Sequence, residues 1–223
     1  MSRVESHGPD PRFAVRVEGR QQDSRVVRLD MSQAELLSAV VSRALQNEPH
    51  FKYLMPNEQA RRAVLPWFFR SVAIPACQLF GEIYTTDTIE GGALWISPGH
   101  TLSFEQMVRT EILTMPFKLG GTSFRRCINL GTHVEAIRKR LAGGPHWYLV
   151  AHAMEPSEEE GAFTPSLLEP VLGKADGHGL PCYLETFRER HVPFYEACGF
   201  RVQGAGHIPR GGPNFWAMMR APR

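Results

Sequence analysis

Apolar residues recur along this chain at two spacings, and the spacings mark out most of its elements. Leu36, Leu37, Val40, Val41 and Ala44 repeat with the period of one helix face. Asp30-Met31-Ser32 opens that helix, with Ser32 and Glu35 at capping-box spacing. Just before it, Val26-Val27-Arg28-Leu29 reads as a short strand. A second helix starts near Asn57 and runs through Arg61, Leu65 and Phe69, with a bend expected at the internal Pro66. Residues 82–86 and 92–96 read as two strands joined through Asp87 to Gly91 as a hairpin, followed by the turn Ser97-Pro98-Gly99-His100. Residues 104–141 read as two helices broken at Gly120-Gly121, with a basic end at Arg138-Lys139-Arg140.

The last third is written more sharply. Residues 146–154 form a strand whose alternation puts His146, Tyr148, Val150, His152 and Met154 on one face, and Trp147, Leu149, Ala151 and Ala153 on the other. A helix over residues 165–176 turns Leu167, Leu168, Val171, Leu172 and Ala175 inward. Residues 181–186 give another strand, 191–197 a short helix, and 200–204 with 214–220 a final strand pair. Strands and helices that alternate and then close on a hairpin predict one α/β (α+β) domain on a mixed sheet. Residues 1–24, rich in Arg, Glu, Gln and Pro, read as a partly disordered N-terminal extension, leaving 25–223 as the domain.

Composition narrows the function. Of 223 residues 43% are hydrophobic and 22% charged, enough for a sizeable core, and a net charge of +2 carries no footprint for nucleic acid. Cys77, Cys127, Cys182 and Cys198 are widely spaced and form no metal-ligand pattern, so reduced thiols and a cytoplasmic location are expected. No signal core stands at the start and no apolar run suggests a bilayer span, so no membrane partner is expected.

The C-terminal blocks go further. His146-Trp147-Tyr148-Leu149, Ser166-Leu167-Leu168-Glu169-Pro170-Val171-Leu172, Leu180-Pro181-Cys182-Tyr183-Leu184-Glu185-Thr186 and Val192-Pro193-Phe194-Tyr195-Glu196, followed by Gly199-Phe200, closely resemble the core of the GNAT (general N-acetyltransferase) superfamily. Gly212-Pro213 and Trp216-Ala217-Met218 resemble the last strands of its small-molecule branch. Phe51-x-x-Leu54-Met55-Pro56 and Gly92-Ala93-Leu94-Trp95 extend the likeness more loosely. The resemblance implies a mostly antiparallel mixed sheet, splayed between its fourth and fifth strands and flanked by helices. It also implies an acetyl-CoA or other acyl-CoA donor and a small-molecule amine acceptor. A homodimer is left open.

In that family the strand before the key helix leads into Q/R-x-x-G-x-G/A, whose glycines admit the CoA pyrophosphate to free N–H groups at the helix start. Here Glu159, Glu160, Gly161, Ala162, Phe163 and Thr164 fall on those six positions, so Glu159, Gly161, Ala162 and Thr164 are the cofactor-binding candidates, with Met154 N–H for the acyl carbonyl. Glu158, Glu159 and Glu160 would repel a diphosphate by on the order of a few kcal/mol per close pair at a surface-like dielectric. Thr164-Pro165 also reads as a helix N-cap and N1 proline, which would consume an amide otherwise free for phosphate.

Tyr195 matches the family position whose phenol protonates the departing thiolate. His152, His191 and Glu185 are further acid–base candidates, each also readable as a structural or surface group. Trp95, Phe104, Met107 and Trp216 are candidate lining for the acceptor, as is Phe117, and each is equally a core residue at such spacing. Three functions remain open: acyl-CoA-dependent N-acylation, CoA-independent tailoring on the same scaffold, and a non-catalytic binding module.

Overall fold

The computed structural model describes residues 24–100, 111–155 and 164–223. Its alternating segments pair into one seven-stranded sheet. The strands are β1 (Val26–Arg28), β2 (Gly81–Thr86), β3 (Gly91–Ile96), β4 (Trp147–Met154), β5 (Cys182–Thr186), β6 (Arg201–His207) and β7 (Asn214–Arg220). Their order is β1-β2-β3-β4-β5-β7-β6, and every pairing is antiparallel except that of β4 with β5. This is the mixed sheet expected from the element order, with the mostly antiparallel pairing that the resemblance implies.

The first face of the sheet carries α1 (Ala34–Leu45), α2 (Pro49–Leu54), α3 (Glu58–Phe68) and α4 (Ile74–Phe80), with the long α5 (Met115–Leu141) crossing beside them. The second face carries α6 (Glu169–Gly177) and α7 (Val192–Ala197). On α6 and the turn before it, Leu167, Leu168, Val171, Leu172 and Ala175 are all buried, as the helical period predicts.

Several local expectations change. The helix start is capped by Asp30, whose Oδ1 accepts from Ser32 N at 2.9 Å, and Ser32 spends its hydroxyl on the same oxygen. Leu36 is exposed, and Ser38 and Ser42 take the inward positions by donating to the carbonyls of Glu35 and Ser38. Asn57 does cap α3, accepting from Ala60 N at 2.8 Å. Pro66 brings no N–H to the ladder, and the chain continues through a π-helical turn, Phe69–Ala73, into α4. The continuous stretch Glu58–Phe80 is, by length and composition, apolar enough to cross a bilayer, contrary to the sequence reading. It packs here as a core helix, with Leu65, Phe69, Val72, Ile74 and Cys77 buried.

In α5 the break falls where the glycines predict it, with Gly120 at φ 73° and ψ 161°. Asn129 ties α5 down by donating to the Tyr53 hydroxyl at 3.1 Å and to the Pro209 carbonyl at 3.0 Å. The helix thus roofs the first face between α2 and the β6–β7 turn.

Candidate active site

The site begins with a defect in the sheet. β4 and β5 pair at Trp147/Cys182, Tyr148/Tyr183 and Leu149/Leu184, and the parallel ladder then stops. From residue 150 onward β4 pairs only with β3 among the described residues, so the edge it turns toward β5 has no strand partner there. At the far end of this opening β3 and β4 come very close. A Cβ on Gly91 would lie 2.6 Å from the Ala153 carbonyl oxygen, so glycine is needed there.

A β-bulge sits where the strands part. Leu94 pairs with Ala151 and Trp95 with Leu149, leaving Val150 as the extra residue. One inserted residue moves everything beyond it to the other face. His152 therefore leaves the face of Tyr148 and Val150 assigned to it by simple alternation. It lies instead on the α7 side, its ring 5.6 Å from Phe194 and 6.2 Å from Tyr195.

Parting the strands also divides the core. On the first face one apolar cluster centres on α1, α3 and the π-turn, and a second on α5, β5 and β7, with Leu130 and Tyr148 touching both. Between them is a cavity of about 260 Å³. Phe51, Leu54, Phe68, Phe69, Leu130 and Val134 build much of its wall. The rings of Phe51, Phe68 and Phe69 meet edge to face at 5.3–6.3 Å, which fixes their orientation. His152, Glu185, His191 and Tyr195 all line the same cavity, although three different elements and the turn before α7 supply them.

Electrostatics separate these four groups. Burial pushes Glu185 up to about 7. The Tyr183 and Tyr148 phenols and Arg138 oppose that shift, while Glu135 adds to it. Glu185 Oε1 is buried and meets no hydrogen-bond partner among the described residues. Arg138, itself buried, is committed to Glu135 and to the face of Tyr148, 5.1 Å from the ring centroid.

Burial pushes His152 down to about 3, against a hydrogen bond with the Thr164 backbone, and His191 down to about 4, helped by Arg190 and Arg188. Both imidazoles are neutral at pH 7. Burial raises the Tyr195 phenol, which keeps its proton at any physiological pH. His50, which the sequence reading did not single out, also lines the cavity, stacked 4.2 Å from Phe51 and 4.5 Å from Phe187 and held near 3 by burial.

The other candidates scatter. Trp95 is fully buried on the second face, packed with Leu149, Leu168 and Met218, so its indole fills core and does not line the cavity. Trp216 lies half-buried on β7 and is also outside the lining, and Phe117 is 90% exposed. Met154 ends β4 opposite Gly91, on the unpaired edge. Thr164 has the extended backbone of a cap and Pro165 follows at N1, but the hydroxyl pairs with Ser166 Oγ at 2.7 Å and caps no amide. Phe104, Met107, Glu159, Gly161 and Ala162 lie outside the described residues.

No family model matches the chain. An uncharacterised N-acetyltransferase of Schizosaccharomyces pombe is 24% identical over 192 residues, covering 82% of this chain and 76% of the relative. The Drosophila melanogaster polyamine N-acetyltransferase, an enzyme that forms N-acetylagmatine, superposes with a TM-score of 0.60 at 11% identity, over 88% of this chain and 99% of that one. A Corynebacterium glutamicum protein described as histone acetyltransferase HPA2 and related acetyltransferase gives 0.59 at 20% identity, over 90% and 97%. Identities this low establish a shared fold and leave the chemistry to the site itself.

Proposed function

We propose, on the premise that this chain has the fold of the GNAT acetyltransferases, that it transfers an acyl group from acyl-CoA to the amine of a small molecule. The observation that carries this reading is the convergence of Glu185, Tyr195, His152 and His191 on one cavity at the point where β4 and β5 part.

The donor's part is to supply an activated thioester carbonyl. The unpartnered edge of β4 suits a pantetheine arm, which can hydrogen-bond along it as a strand would. Met154 N–H, on that strand, is the donor we assign to the acyl oxygen. Glu185, poised near neutrality, accepts the proton of the attacking amine. As the new C–N bond forms and the C–S bond breaks, Tyr195 gives its proton to the departing sulfur. Proton exchange with solvent then restores phenol and carboxylate. His152 is too weakly basic for the amine proton, and we assign it to positioning Tyr195 through their ring contact.

One observation favours a second reading, CoA-independent chemistry on the same scaffold. Pro165 offers no N–H at the helix start, and the segment ahead of it carries Glu158, Glu159 and Glu160. Isothermal calorimetry with acetyl-CoA decides between them. Acyl transfer requires binding that is weaker than in the triple variant Glu159→Gln/Glu160→Gly/Thr164→Gly, by roughly tenfold for a relieved charge contact. No binding by either protein at millimolar ligand would remove the acyltransferase reading and leave the second.

A further inference from the structure

We propose that the acceptor is a hydrophobic monoamine: one primary amine on an aryl or branched alkyl body, with no second ionised group. This rests on the acyltransferase reading above and deepens it.

The wall and the charges of the cavity carry the argument together. The wall is built of locked aromatic rings and aliphatic side chains, so the body of the ligand must be content without hydrogen bonds. Two carboxyls reach the lining, Glu48 and Glu185. Glu48 is already taken, its Oε1 accepting from Arg188 Nε at 2.6 Å. Glu185 keeps a buried oxygen with no partner among the described residues, which is a seat for one ammonium group. A second cation held within these walls, as in a diamine or a guanidino amine, would find no free carboxyl among the described lining residues.

The described lining contains no Lys and no Arg, and Arg138 and Arg188 behind it are committed to Glu135 and Glu48, so a carboxylate on the acceptor would meet no free cation among the described residues. The histidines do not supply the missing charge, because burial keeps His50, His152 and His191 neutral at pH 7. The described lining therefore disfavours amino acids along with polyamines. His50 Nδ1 is a second buried atom without a partner among the described residues, and being neutral it suits one uncharged hydrogen bond.

The test uses matched pairs, with amine affinity measured by calorimetry on the full chain. Phenethylamine is compared with phenylalanine, which adds only a carboxylate, and hexylamine with 1,6-diaminohexane, which adds only an ammonium. The monoamine is expected to bind at least about 100-fold more tightly in each pair, because an unpaired charge in an apolar pocket costs no less than the added hydroxyl such pockets reject on that scale. Phe68→Ala should weaken phenethylamine about tenfold and leave ethylamine unchanged, with circular dichroism confirming the fold. Equal affinity within either pair, or Phe68→Ala weakening both amines alike, overturns the inference. The acetyl-CoA titration is read separately. Donor binding without the monoamine preference removes this inference alone, and absent donor binding removes the reading beneath it.

Discussion

At the scale of the residue, Glu185 has the most measurable consequences. Its carboxyl moves from an ordinary 4.5 to about 7 on folding. Between those values the native chain holds a proton that the unfolded chain has lost, so this group's stabilising contribution is complete below pH 4.5 and falls as pH rises through 7. Glu185→Gln should therefore raise stability at pH 8, by up to roughly 3 kcal/mol, and leave it little changed at pH 4, which urea titrations at the two values would check. The same variant should lower kcat/KM at least 100-fold and abolish an acidic limb centred near pH 7.

Arg138, Tyr148 and Tyr183 oppose the Glu185 shift and Glu135 reinforces it. Arg138→Met should accordingly move the acidic limb to higher pH. A limb that stays in place in both variants would mean another base. Tyr195→Phe keeps the ring packing against Phe200 and removes the proton, so a 10- to 100-fold fall in kcat with little change in KM is expected, about the scale of a lost general acid.

Much of this was legible as residue type but not as place. Tyr195, Glu185, His152 and His191 stand out in the sequence, and all four line the cavity. Phe68 and His50 gave no signal, because an aromatic on a helix face looks the same whether it meets core or an opening. Trp95 shows the reverse case, a conspicuous indole that only packs.

At the scale of the element, long apolar periods were readable and short irregularities were not. The stripe of α6 and the strand segments of β2, β3 and β5 reappear in the structure because many residues report each of them. The bulge at Val150 does not, since Val150 and Ala151 are both apolar and a slip of one leaves no trace in the pattern. It nonetheless decides which face His152 occupies. The π-turn after Pro66 is similarly silent, and Phe69, at its start, contributes to the wall. α2 was missed because six residues behind a proline are too few to show a period.

α5 belongs to this scale too. Asn129 is buried, and its amide makes both of the roof's hydrogen bonds described above. Asn129→Ala should cost about 1 kcal/mol by removing these two partly buried hydrogen bonds. It should also raise the KM for the amine more than it lowers kcat, which steady-state kinetics on the folded variant would show.

At the scale of the whole molecule, two contacts among those that join the sides of the opening stand out. The short ladder between β4 and β5 fastens one end. Across the first face, Arg188 binds Glu48 at 2.6 Å and the Asn47 carbonyl at 2.7 Å, while Phe187 stacks on His50. Removing Arg188 would strand a buried Glu48 carboxylate, so Arg188→Ala should destabilise by about 2–4 kcal/mol, measurable by thermal unfolding.

The ladder that ends at Leu149 and Leu184 also divides how the sheet breathes. Strands on either side of it are stitched continuously to their own neighbours but to each other only over a few residues, so β1–β4 and β5–β7 should open to solvent as separate units. Deuterium uptake should then be faster at residues 150–154, paired on the β3 side only, than at 147–149, paired on both, and the difference should shrink once acetyl-CoA stands in for the missing strand.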